Sequence, residues 1–123
     1  MVILYADDDE DDRLTFAEML SEIDPAIKLI QAEDGLHTMD FLENGNLPDF
    51  IFLDINMPVL NGYETLAEIR KDARFLKTKV IMFSTTTYHK GYDKYASLNA
   101  RFVSKPNSIK EGVDILKNIL HEH

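Results

Sequence analysis

The sequence predicts an α/β fold: a doubly wound, five-stranded parallel sheet in a single domain spanning residues 1–123. Five apolar stretches of strand length alternate with five amphipathic stretches of helix length, the pattern of strand–helix crossovers in one sheet. "FIFLD" (50–54) is apolar up to its final aspartate, and "KVIMFS" (79–84) is apolar between its first lysine and last serine. Runs of that kind belong to strands covered by helices on both faces. The residues that follow the apolar runs are acids, hydroxyls and a lysine, placed where an open sheet binds its ligands.

The elements follow in order. "VILYA" (2–6) is the first strand. In "DDRLTFAEMLSEI", Phe16, Met19, Leu20 and Ile23 recur at i, i+3, i+4, i+7 and predict one buried helical face. Asp24-Pro25 ends that helix, because proline disfavours a helical residue before it. "IKLIQA" (27–32) is the second strand, and Gly35 opens a helix that runs to Asn44-Gly45. After the strand 50–54, Tyr63, Leu66 and Ile69 stripe a helix over 62–72. After the strand 79–84, "YHKGYDKYASL" (88–98) predicts a weaker helix, interrupted by Gly91. "RFVS" (101–104) is the fifth strand, and Ile109, Val113, Leu116 and Leu120 stripe the last helix.

Composition narrows the function. The chain has 13 basic and 22 acidic residues, a net charge of −9, which disfavours nucleic acid and an anionic membrane surface as partners. The expected partner is a protein, a cation or a small phosphorylated molecule. There is no cysteine, so disulfides, thiolate metal sites and cysteine nucleophiles are excluded together; a reducing cytoplasm fits. No apolar run approaches the ~20 residues that cross a bilayer. "MVILYA" lacks the basic flank of a signal peptide and reads as a strand.

The strand ends carry the chemistry. Strand 1 leads into Asp7 and Asp8, strand 3 into Asp54, strand 4 into Ser84 and Thr85, and strand 5 into Lys105-Pro106. If the strand order is 2-1-3-4-5, Asp7, Asp8 and Asp54 converge on one crevice. Three carboxylates cannot all ionise there without a counter-charge. Oxygen-only ligands favour a hard divalent ion such as Mg²⁺. A carboxylate flanked by that ion, an ammonium and a hydroxyl is prepared to accept a phosphoryl group, with Asp54 as nucleophile. Asp9, Asp11 and Asp12 are expected to be solvated acids of a first helical turn, where negative charge is favourable.

The blocks "DD" (7–8), "LDINMPVLNG" (53–62), "FST" (83–85) and "FVSKP" (102–106) occur in order, each at a predicted strand end. With them the chain resembles a response-regulator receiver domain from residue 2 to about residue 120. The resemblance implies the flavodoxin-like (βα)₅ fold with strand order 2-1-3-4-5, an order known for a chemotaxis receiver. It implies Asp54 as phosphoacceptor, and Mg²⁺ or Mn²⁺ held by Asp8, Asp7, Asp54 and the backbone carbonyl of Asn56. Ser84 matches the hydroxyl that binds the phosphoryl group, with Thr85 beside it. Lys105 matches the lysine that pairs with a phosphoryl oxygen, Pro106 a proline usually preceded by a cis peptide, and Phe102 the aromatic switch. Gly62 closes the D-x-x-M-P-x-x-x-G spacing. The donor implied is a sensor histidine kinase or a histidine phosphotransfer protein, the location cytoplasmic, and the protein a monomer or a phosphorylation-dependent dimer. Its downstream protein partner is not identified.

Some positions depart from that pattern. Thr85 stands where alanine or glycine is usual, and its bulk is expected to slow small donors or water. Phe102 has no hydroxyl, so its switching must work through packing. Asn99 is expected to replace a glycine in a left-handed helix cap. Tyr88, Tyr92 and Tyr95 share one stripe, read as packing with a share in a partner surface. His37 and His89 read as surface residues, and His121 and His123 as a frayed end. A phosphatase of the haloacid-dehalogenase type would need an acid two residues after its nucleophile, where this chain has Asn56. The chain thus reads as a signalling phosphoacceptor rather than an enzyme. The alternative is a receiver-like interaction module that is never phosphorylated, against which the retained acids, hydroxyl and lysine argue.

Overall fold

The computed structural model describes residues 1–85 and 96–121. The strands are β1 (Val2–Ala6), β2 (Lys28–Ala32), β3 (Phe50–Leu53), β4 (Lys79–Ser84) and β5 (Ala100–Ser104). They form one parallel sheet in the order β2-β1-β3-β4-β5. The helices among the described residues are α1 (Glu10–Ile23), α2 (Gly35–Glu43), α3 (Gly62–Arg70) and α4 (Ile109–His121). The expected helix at 88–98 lies outside the described residues except for its end, where Ala96–Leu98 form a 3₁₀ turn. Tyr88, Tyr92, Tyr95, His89 and His123 also lie outside them.

Alternation along each strand builds two cores. On one face Ile3, Tyr5, Phe50, Phe52, Ile81 and Phe83 pack against Phe16, Met19 and Leu20 of α1 and Val113, Leu116 and Ile119 of α4. On the other, Leu4, Ala6, Ile51, Leu53, Val80 and Met82 pack against Leu42 of α2 and Leu66 and Ile69 of α3. The continuous apolar runs are thereby explained, since both faces of β3 are covered.

The helix starts are set locally. Asp9 caps α1, its carboxylate accepting from the Asp11 and Asp12 N–H groups. Asn61 caps α3 in a reciprocal capping box with Glu64. Gly62 opens α3 because nothing larger fits: a Cβ there would lie 2.5 Å from the Asp54 carbonyl oxygen and 2.8 Å from Ile55 Cα. Both are backbone atoms that cannot step aside. Gly62→Ala should therefore lower stability by about 2–3 kcal/mol, read as a fall in the urea midpoint at unchanged slope.

Two non-glycine residues have positive φ. Asn99, at +58°, adopts the left-handed conformation expected of it. Val59, at +67° and exposed, is strained, because a β-branched side chain crowds the backbone there. It lies in the turn between Asp54 and α3. No described peptide bond is cis, so Lys105–Pro106 is trans, where the resemblance implied cis. Trans is the form that X–Pro bonds favour by about 0.5–1 kcal/mol.

Candidate functional site

The acids and the lysine are placed by backbone bonds just beyond the strand ends. The Asp7 N–H donates to the Ala32 carbonyl at 3.0 Å, and the Asp54 N–H donates to the Ala6 carbonyl at 2.9 Å. These bonds extend the ladder by one rung on either side of β1. On the next strand pair, the Lys105 N–H donates to the Ser84 carbonyl at 2.8 Å. The loop after Asp54 folds back through Gly62 N–H to the Ile55 carbonyl at 2.9 Å. The strand order brings Asp7, Asp8, Asp54 and Lys105 to one end of the sheet.

There the Lys105 ammonium is the central group. It lies 2.6 Å from Asp7 Oδ2, 2.8 Å from Asp12 Oδ2 and 3.5 Å from Asp54 Oδ2. Asp7 is fully buried and its carboxylate is well supplied with donors. Oδ2 also accepts from the Tyr5 hydroxyl at 2.6 Å, and Oδ1 from the Asp9 N–H at 3.0 Å. Arg13 holds the Asp7 carbonyl at 2.7 Å. Asp54 is nearly buried too, and accepts a long bond of 3.4 Å from the Asn56 N–H.

Burial pushes the Asp54 carboxyl up to about 6; the Lys105 charge opposes that rise and the Asp7 charge adds to it. For Lys105, burial by itself would lower the pKa, but hydrogen bonds to Asp12 and Asp7 and the charge of Asp54 raise it above its ordinary value. Burial, followed by the Asp7 charge and hydrogen bond, raises the Tyr5 phenol, which stays a donor. Among the described residues the acids outnumber the cations: Asp7, Asp12 and Asp54 share one ammonium, exposed Asp8 stands beside them, and the Arg13 guanidinium is held on the Asp7 carbonyl.

One carboxylate oxygen each from Asp7, Asp8 and Asp54 lies within 4.8 Å of the others. Three hard oxygen donors at that spacing, short of positive charge, fit a divalent cation such as Mg²⁺ or Mn²⁺. Ser84 is buried at the end of β4, opposite Ser104 of β5; Thr85 is exposed at the rim. Phe102 is half-buried in β5 and packs against the core that contains Met82, its partner in register. Pro106 is half-buried against Gly112 of α4.

Two members of this network were not anticipated from the sequence. Asp12 was expected to be a solvated first-turn acid, and it is paired with Lys105 instead. It lies in the first turn of α1, within reach of a lysine 93 positions away, a contact with no local signal. Tyr5 did carry a signal. Residues i and i+2 share a strand face, so Tyr5 leads directly to Asp7. Its ring is stacked on Phe16 at 4.1 Å and meets Phe83 edge-on at 6.0 Å, which fixes the hydroxyl.

Comparison with known proteins gives the family and supports the fold. The family model for the response regulator receiver domain matches residues 3–117. Response regulator Rcp1 of Synechocystis is 31% identical over 127 residues, covering 96% of this chain and 85% of that protein. Sensor histidine kinase CheAY of Helicobacter pylori is 35% identical over 81 residues, covering 65% of this chain and 10% of that protein. The chain thus spans about a tenth of the length of CheAY. Among solved structures, the phosphorylated cyanobacterial phytochrome response regulator RcpA superimposes with a TM-score of 0.84 at 26% identity, covering 96% of this chain and 89% of that one. The Mn²⁺-bound form of Rcp1 does so with a TM-score of 0.82 at 27% identity, covering 98% and 92%. No helix among the described residues is long and apolar enough to cross a membrane.

Proposed function

The chain belongs to the response regulator receiver family of two-component signalling, and we propose that it is a working phosphoacceptor switch. Asp54 accepts a phosphoryl group from a phosphohistidine on a sensor histidine kinase or a histidine phosphotransfer protein. The observation that carries this reading is the shared ammonium: Lys105 reaches Asp7, Asp12 and Asp54 together, in a cluster where carboxylates outnumber cations among the described residues. A purely structural ion pair would be balanced; among the described residues, this site has more negative than positive charge.

Asp7, Asp8, Asp54 and the backbone carbonyl of Asn56 would hold Mg²⁺, with Mn²⁺ an alternative. When bound, the ion neutralises the acids and the charge of the transferring group. Asp54 is the nucleophile: one carboxylate oxygen forms the new O–P bond as the donor's N–P bond breaks. With a pKa near 6 it is mostly ionised at neutral pH and more basic than an ordinary carboxylate. Lys105, 3.5 Å from Asp54 Oδ2, needs only a small movement to meet an incoming phosphoryl oxygen. The Ser84 hydroxyl supplies a second donor from the adjacent strand. Its movement, followed by repacking of Phe102, shifts the surface from β4 to α4 between two populations that a protein partner distinguishes. The domain signals through its own phosphorylation and acts on no separate substrate.

Intact mass spectrometry after incubation with acetyl phosphate and Mg²⁺ tests this. One added phosphoryl group is expected in the wild type, and none with Asp54→Asn or with EDTA. Absence of both phosphorylation and beryllofluoride binding in the wild type would favour the unphosphorylated interaction module.

A further inference from the structure

Lys105 has three ammonium protons and spends its two short bonds on Asp7 and Asp12, neither of which is the proposed acceptor. The two bonds differ in how easily they can be given up. Asp7 is fully buried, so losing its cation would strand a charge away from water. The Asp12 side chain is 40% exposed, so water can replace the lysine there at small cost. Asp12 is also anchored independently of its carboxylate, since its backbone N–H is part of the Asp9 cap of α1.

We propose that Asp12 is a positioning residue that restrains Lys105, drawing the ammonium toward the first turn of α1 and away from Asp54, and yielding it when a phosphoryl group arrives. The inference rests on Asp54 being the acceptor. Under it, the acidic run after β1 has three separate duties: Asp7 and Asp8 face the cation, Asp9 caps the helix, and Asp12 sets the threshold at which Lys105 changes partner. The restraint weakens the phosphorylated state relative to the free one, because the new charge must compete with an existing carboxylate for the same protons.

Asp11 provides the control. It is one residue away, carries the same charge, and its side chain makes no hydrogen bond or ion pair among the described residues. With Mg²⁺ saturating, Asp12→Ala should bind beryllofluoride about three- to tenfold more tightly than wild type, and Asp11→Ala should stay within about twofold. Equal tightening in both variants would assign the effect to bulk charge, and unchanged or weaker binding in Asp12→Ala would overturn the restraint. Crystal structures of metal-free wild type and Asp12→Ala give a second readout. The variant should bring Lys105 Nζ from 3.5 Å to about 2.8 Å from the Asp54 carboxylate, the length of a charged hydrogen bond; a lysine left in place overturns the proposal. If even the wild type fails to bind beryllofluoride, the phosphoacceptor reading falls, while the position of Lys105 still decides whether Asp12 restrains it.

Discussion

Replacing Lys105 with methionine should cost the metal-free protein about 3 kcal/mol of stability at pH 7. Methionine keeps the apolar stem and removes only the charge, so the loss reports the ion pairs rather than a cavity. Asp7, with no exposure of its own, would retain the Tyr5 hydroxyl and the Asp9 N–H but no cation. Those two bonds hold the cost to the lower end of what breaking a buried pair produces. The pH dependence has a definite sign. The raised pKa of Lys105 means its stabilising charge is fully present below the unfolded value of 10.5 and fades only as pH rises through its folded value. Between pH 5 and 7 the wild type therefore keeps all of it. In the variant, Asp54 loses the Lys105 charge that opposes its rise and takes up its proton at higher pH than in the wild type, so the deficit should shrink from pH 7 to pH 5. Urea unfolding of both proteins in EDTA at the two pH values measures this. A deficit that grows on acidification would mean that the loss does not come from carboxylates left without their cation.

The same electrostatic arrangement shows why much of the site was legible from the chain and part of it was not. Parallel strands end at one edge of their sheet, so acids, a hydroxyl and a lysine that each follow an apolar run are brought together by topology alone. Asp7, Asp8, Asp54 and Lys105 met that condition, and the structure gathers them. Asn99 was legible for a local reason, the tolerance of asparagine for the left-handed conformation it adopts. Asp12 was not, because a helix-turn acid looks alike whether it faces water or a lysine from the far end of the chain. Val59 was missed for the opposite cause: nothing about valine foretells a positive φ, which goes with the tight turn that the Leu60 N–H closes onto the Pro58 carbonyl at 2.7 Å. The Lys105–Pro106 peptide went the other way, with a family habit set aside in favour of the ordinary trans form.

Asp54→Asn should make the metal-free protein more stable at pH 7, by on the order of 1–2 kcal/mol, even as it abolishes phosphorylation. The wild-type carboxyl titrates at 3.8 in the unfolded chain and at about 6 in the fold, chiefly through burial, which the Asp7 charge reinforces against Lys105. Above pH 6 both states are ionised and the fold bears the full penalty of that charge. Below about pH 4 both are protonated and the penalty is absent. Between them the folded state binds the extra proton, so wild-type stability declines as pH rises through this window, and the asparagine variant escapes that decline. The full shift would convert to about 3 kcal/mol, and the solvent reaching the edge of the site reduces it. The advantage of the variant should therefore appear between pH 4 and 6 and stay level at higher pH. Added Mg²⁺ should reverse the ranking, since a divalent ion stabilises the folded form only as far as its ligands hold it. Thermal melts in EDTA and in excess Mg²⁺, across that pH range, follow both effects in one series. A wild type that outlasts the variant in EDTA at pH 7 would mean that Lys105 already neutralises Asp54, and that the site lacks the charge deficit from which its cation binding is argued.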